Sequence, residues 1–205
     1  MSTSDGSSSG SENKAMQHRT TLLQPGEVVA THFEIVRVLG RGGMGVVYEV
    51  KSLLTGDRLA MKTILPVHLS NERAVQRFLE EIRTMRRLSH PNIAAVFDVG
   101  EDINGSGTAL FFTMEFLEGV SLRDIMKKRG PMKLEQVVRV LDHLCEALEF
   151  AHKYMVHRDL SPENVMILKD GTIKMLDFGL ARMADRKTMT AANTALGKAH
   201  YMSPE

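Results

Sequence analysis

The chain has 205 residues, 43% of them hydrophobic, enough for one substantial domain or two small lobes around a cleft, which excludes a chain disordered throughout. Lys and Arg number 26 against 25 Asp and Glu, a formal charge of +1, so no basic excess points to nucleic acid or an anionic membrane surface. A single cysteine, Cys145, excludes an internal disulfide, and no Cys/His cluster has zinc-binding spacing.

Residues 1–24 are rich in Ser, Gly and Thr and poor in large apolar groups, so they are expected to form a flexible tail. They lack a secretory pattern, and no apolar run reaches the roughly 20 residues a membrane span needs, so the expected location is cytoplasmic. From Pro25 the texture changes. "FEIVRVLG", "VVYEVKS" and "DRLAMKTIL" read as three strands around a glycine cluster. Ser70 or Asn71 is placed to cap a helix through "ERAVQRFLEEIRTMRRL", with Val75, Phe78, Leu79, Ile82 and Met85 on one face. "IAAVFDVG" and "ALFFTMEF" read as two more strands about the turn "DINGSG", completing a small antiparallel sheet with one main helix. The remainder is mostly helical, giving an α+β fold. "SLRDIMKKR" is a short helix, and "LEQVVRVLDHLCEALEFAHKY" a long one with the stripe Leu134, Val137, Val138, Leu141, Leu144, Leu148 and Ala151. Cys145 is expected beside that stripe as a small buried residue. "VMIL" and "TIKML" flank "KDG" as a hairpin, and the polar, Thr-rich stretch from Asp177 onward has no period, as befits a mobile functional loop.

Three places carry chemistry. Gly40, Gly42 and Gly45 form G-x-G-x-x-G, but Val46, Val47, Tyr48 and Val50 follow in place of a helix, so the loop reads as a flap over a nucleotide's phosphates. Lys62 ends a strand that returns beside the flap. Glu81 lies on the apolar flank of the first long helix, where burial needs a cation, and Lys62 is the natural candidate, with Glu80 turned about 100 degrees away. Asp159 and Asn164 in one loop, with Asp177 after the hairpin, offer oxygen ligands suited to Mg2+ and phosphate.

In that order and spacing, "LGRGGMGVV", "AMK", Glu81, "HRDLSPEN", "DFG" and "YMSPE" resemble the eukaryotic-like protein kinase family, and "GRGGMGVVYEV" looks like its bacterial serine/threonine members. The resemblance implies ATP and Mg2+ as cofactors, and transfer of the γ-phosphoryl group to Ser or Thr hydroxyls of protein substrates. It implies a smaller lobe and hinge over 25–117 and a larger lobe over 118–205, truncated because the sequence ends at "SPE". It also assigns residues. Leu39, Gly40, Arg41, Gly42, Gly43, Met44, Gly45, Val46 and Val47 would cover the nucleotide; Lys62, paired with Glu81, would hold its phosphates. Val47, Ala60 and Met166 would sandwich adenine, beside Met114 and the backbone of Glu115 and Leu117. Asp159 would be the catalytic base, and Asn164 and Asp177 the metal ligands. Met85, Val96, His157 and Phe178 would stack between the lobes, making His157 a packed residue. Arg158 would meet a phosphate on Thr188, Thr190 or Thr194.

Two positions depart from the family pattern. Ser161 stands where a lysine usually steadies the transferred phosphate, and Lys198 stands where a threonine is usual, at a position that in that fold touches the same loop. The expectation is that Lys198 supplies the missing ammonium. The alternative is a nucleotide-binding scaffold without transfer, or an inactive fragment.

Overall fold

Alternating apolar and polar residues from Phe33 to Ile64 give one antiparallel sheet, because each strand buries one side-chain row on each face. The computed structural model describes residues 22–42, 45–65, 72–104, 107–178 and 201. Strands β1 (Val28–Val29), β2 (Phe33–Gly42), β3 (Gly45–Ser52), β4 (Arg58–Ile64), β5 (Val96–Asn104) and β6 (Gly107–Glu115) pair in the order β1-β2-β3-β4-β6-β5. A second, three-stranded sheet joins β7 (Gly119–Ser121), β8 (Val165–Leu168) and β9 (Ile173–Met175). The helices are α1 (Glu72–Met85), α2 (Leu122–Arg129) and α3 (Leu134–Ala151), with a 3-10 turn at Pro162–Asn164. This is the α+β arrangement read from the sequence.

The large sheet has a core on each face. On one, Phe78, Ile82 and Met85 of α1 pack with Ala60, Phe112 and Met114, in a cluster that continues to Val165, Met175 and Phe178 of the other lobe. Each fully buried Phe, Ile, Met or Val side chain among them contributes about 1.5–3 kcal/mol. On the other face, Ile35, Tyr48, Val50, Met61 and Phe111 are covered by Leu23 and Val29. Leu23 is only 5% exposed, and its N–H donates to the Tyr48 hydroxyl at 3.3 Å. The fold therefore begins before residue 25, and residues 22–24, read from composition as tail, belong to it because they close an otherwise bare apolar face.

Two short strands escaped the sequence reading. β1 pairs with β2 through a tight turn in which Ala30 (φ 46) and Thr31 (φ 67) both occupy the left-handed region. Asp102 Oδ1 holds this turn by accepting the Ala30 N–H at 2.9 Å. β7 pairs with β8 and extends the expected hairpin to three strands.

Helix α1 buries the expected face, while the expected caps Ser70 and Asn71 lie outside the described residues. Ser121 caps α2, its hydroxyl accepting the Asp124 N–H at 3.1 Å, and Gly130 ends it at φ 74. In α3 the buried positions are Val140, Leu144, Ala147 and Ala151. Leu134 (74% exposed), Val138 and Leu141 are exposed, so the stripe read from periodicity is covered only toward its C-terminal end. Cys145 is also exposed, correcting the expectation that it is buried: it lies about 100 degrees around the helix from Leu144. Among the described residues, no helix is long and apolar enough to cross a membrane.

Candidate active site

Strand β4 organises the site. Arg58, Ala60 and Lys62 alternate along it and so share one face, and the register sets Lys62 opposite Val47 and Ala60 opposite Met114. That face forms the roof of a cleft of about 680 Å³, lined there by Leu39, Gly40, Val47, Ala60 and Met114. Met166 and Leu176 line it from the other lobe, and Glu115 and Leu117 from the connection between them. No backbone hydrogen bond engages the Leu117 N–H among the described residues, whereas the Glu115 N–H is already donated to Ala95 O at 2.8 Å.

The glycines divide by environment. A Cβ at Gly40 or Gly42 would meet nothing within 4 Å, but at Gly45 it would lie 1.8 Å from Thr63 O. Gly45 is thus required by the close approach of β3 to β4, while the other two leave open space. Val46 points into the outer core with Met61 and not toward the cleft, as strand alternation dictates. Arg41 and Gly42 continue β2 as exposed residues, and Gly43 and Met44 lie outside the described residues.

Next to the cleft, Lys62 Nζ donates to Asp177 Oδ2 at 2.7 Å. The pair is largely withdrawn from water, with side chains 8% and 25% exposed. Asp177 is held in the left-handed region at φ 55, and its Oδ1 is buried with no hydrogen-bond partner among the described residues. The expectation that Lys62 pairs with Glu81 is corrected here. Glu81 instead lines a separate cavity of about 240 Å³ with Arg77, Thr84 and Arg158. The turn after β9 brings Asp177 to the ammonium.

The loop around Asp159 is locked from within. Asn164 Nδ2 donates to Asp159 O at 2.8 Å and to Asp159 Oδ2 at 3.0 Å. Both acceptors lack hydrogens, so the amide nitrogen must face them, and Asn164 Oδ1 is left as an oxygen donor for another group. Leu176 N–H donates to Asn164 O at 2.9 Å, tying this loop to the segment that ends in Asp177. Arg158 is left-handed at φ 63 and, like Asp177, costs about 1–3 kcal/mol in strain that the surrounding bonds must offset. Ser161 is buried, and its hydroxyl oxygen has no hydrogen-bond partner among the described residues.

His157 is fully packed. Its ring centroid lies 4.5 Å from that of Phe178, and Phe178 shares a core cluster with Met85 and Val96. The Asp159 N–H donates to Nδ1 at 3.3 Å, so Nδ1 is an acceptor and Nε2–H donates to Leu176 O at 2.9 Å. This is a neutral ring. Burial pushes its pKa below the ordinary histidine value, more strongly than the Leu176 carbonyl and the neighbouring carboxylates raise it.

The profile of the protein kinase domain matches residues 33–205. The chain belongs to the protein kinase family. It is 34% identical over 186 residues to the probable serine/threonine-protein kinase PknB of Lactococcus lactis, covering 90% of this chain and 29% of that protein. To PrkC of Bacillus subtilis it is 32% identical, over 88% of this chain and 27% of that one. For the serine/threonine-protein kinase PknA of Mycobacterium tuberculosis the identity is 34%, over 88% and 42%. The chain thus spans less than half the length of these relatives. Among solved structures, the PknI kinase domain of Mycobacterium tuberculosis superposes with a TM-score of 0.68 at 30% identity, covering 77% of this chain and 63% of that one.

Membership of the protein kinase family implies ATP and a divalent metal ion. The donor set fits a metal: Asp177 Oδ1 is a buried carboxylate oxygen without a partner among the described residues, and Asn164 offers Oδ1, leaving phosphate oxygens to complete a hard cation's shell. Lys198, Thr188, Thr190 and Thr194 lie outside the described residues. Leu176, Arg37 and Arg58 line the cleft without having been singled out in the sequence. For Arg58 the signal was available, since it shares strand parity with Ala60 and Lys62.

Proposed function

We propose that this protein is an ATP- and Mg2+-dependent protein serine/threonine kinase. The observation that carries the reading is the meeting of Lys62 Nζ and Asp177 Oδ2 beside the cleft, with Asp177 Oδ1 buried and free of hydrogen bonds among the described residues. Val47 and Ala60 on one side of the cleft and Met166 on the other would sandwich adenine, with the Leu117 N–H as a donor to it. Lys62 would hold the α- and β-phosphates. Asn164 and Asp177 would hold the metal, which would supply positive charge against the transferred group. Asp159, oriented by the Asn164 amide, accepts the proton of the attacking hydroxyl. Lys198 provides the ammonium that Ser161 does not, and Arg158 receives a phosphate on Thr188, Thr190 or Thr194.

The buried Ser161 hydroxyl, without a partner among the described residues, favours a second reading, a nucleotide-binding module without transfer, because no cation is supplied from that position. Two measurements separate them. Mg-ATP at about 100 times its dissociation constant raises the stability of a folded binder by roughly 2.7 kcal/mol, seen as a higher unfolding temperature. Phosphate incorporation into a Ser/Thr acceptor protein then reports transfer. Binding with no incorporation supports the module. Lys198→Ala is expected to reduce transfer far more than ATP binding, and equal loss of both removes Lys198 from the mechanism.

A further inference from the structure

The mouth of the cleft carries a run of alternating charges that the chemistry above does not use. Arg37 Nε donates to Glu49 Oε2 at 2.8 Å, and Arg58 donates to Glu49 Oε1 at 2.9 Å. Arg58 Nη1 then donates to Glu118 Oε1 at 2.7 Å, and Lys169 Nζ to Glu118 Oε2 at 2.6 Å. Arg37, Glu49 and Arg58 belong to the six-stranded sheet. Glu118 belongs to the other lobe, since its carbonyl accepts the Lys169 N–H at 3.2 Å and Gly119 pairs with Leu168. The Arg58–Glu118 contact therefore bridges the lobes at the exposed rim of the cleft.

We propose that Arg58 is a positioning residue: by joining buried Glu49 of one lobe to Glu118 of the other, it holds the lobes together and slows nucleotide release. This rests on the nucleotide reading of the cleft. An exposed ion pair is ordinarily weak because two flexible side chains must be fixed. Here that cost is reduced in advance. Glu49 holds the guanidinium from one side, and its carbon lies 4.3 Å over the Phe116 ring. Both groups stay charged across the neutral range: Glu118 is held below its ordinary pKa by Lys169 and then Arg58, and Arg58 is raised by Glu118 and then Glu49. Parting the lobes breaks Arg58–Glu118 and leaves Arg58–Glu49 intact, so the contact resists opening without resisting folding.

The test is stopped-flow release of N-methylanthraniloyl-ADP, with Mg2+, from the full chain. Glu118→Gln and Arg58→Gln are each expected to speed release about two- to fivefold at low salt, and the double variant no further than either. The differences should vanish at about 1 M salt, where the screening length is about 3 Å. Lys169→Gln removes a partner of Glu118 within one lobe and is expected to leave release near wild type. Glu118→Gln leaves the Glu49 pairs intact and decides the matter even where Arg58→Gln fails to fold. Unchanged release in Glu118→Gln, additive effects, or an equal effect of Lys169→Gln overturns the proposal. A wild-type chain that binds no fluorescent nucleotide refutes the nucleotide reading itself, and this proposal with it.

Discussion

Lys62 and Arg58 stand on the same face of β4, roughly 13 Å apart at about 3.3 Å per residue, and each reaches across to an acid of the other lobe at 2.7 Å. The contacts are equal in length and unequal in consequence. Lys62 and Asp177 are 8% and 25% exposed, whereas Arg58 and Glu118 are 51% and 44% exposed. Water competes weakly for the inner pair and strongly for the outer one, which suits the inner pair to the proposed chemistry and the outer one to the proposed control of release. Burial, not contact distance, decides what an ion pair does.

The largest expected effect is at the inner end. Lys62→Ala or Asp177→Ala should lower phosphoryl transfer at least about 100-fold, measured as phosphate incorporation, because the first removes the ammonium proposed to hold the phosphates and the second a carboxylate proposed to hold the metal. Loss below tenfold would place the chemistry elsewhere. Next, Asp177→Asn without nucleotide leaves the Lys62 ammonium facing a neutral amide and should lower unfolding stability by about 1–3 kcal/mol in urea. If stability is instead unchanged, the inner pair is solvated like the outer one and the contrast fails.

His157 links the two loops of the inner site and adds a pH dependence. Its folded pKa lies below the ordinary value of 6.5, so on acidification the unfolded chain takes up a proton before the folded one does. Stability is therefore expected to fall as pH drops below 6.5, by at most about 1.4 kcal/mol per pH unit from this residue, and to level off below the folded pKa. Urea midpoints at several pH values should show the slope in wild type and a shallower one in His157→Gln. Salt sharpens the same contrast more gently: stability of the wild-type chain toward urea should be little changed between low and high salt, while nucleotide release quickens. Smallest is the turn beneath the outer core, where Thr31→Gly relieves a left-handed threonine and should raise stability by a few tenths to about 1 kcal/mol.

Much of this was legible in the chain. Helix α1 shows why: Phe78, Ile82 and Met85 recur at helical spacing and all three are buried. Helix α3 shows the limit. Its apolar positions were read by the same rule, yet Leu134 and Leu141 are exposed while Val140 and Ala147 are buried, because period names a helix but not the surface it meets. Gly45 makes a similar point. Its motif suggested phosphate, but the backbone of Thr63 gives it a separate structural reason.

The sequence by itself determined most of the element types and the two-lobed α+β division, and put forward the residues proposed to hold phosphate and metal, because local periodicity and short motifs are written in neighbouring residues. Tertiary structure decided pairing. That Lys62 meets Asp177 and not Glu81, that Leu23 closes the outer core, and that Arg58 bridges to Glu118 all depend on distances between segments far apart in the chain. Two acids with equal charge are interchangeable on paper, and only the turn that delivers one of them to the ammonium tells them apart.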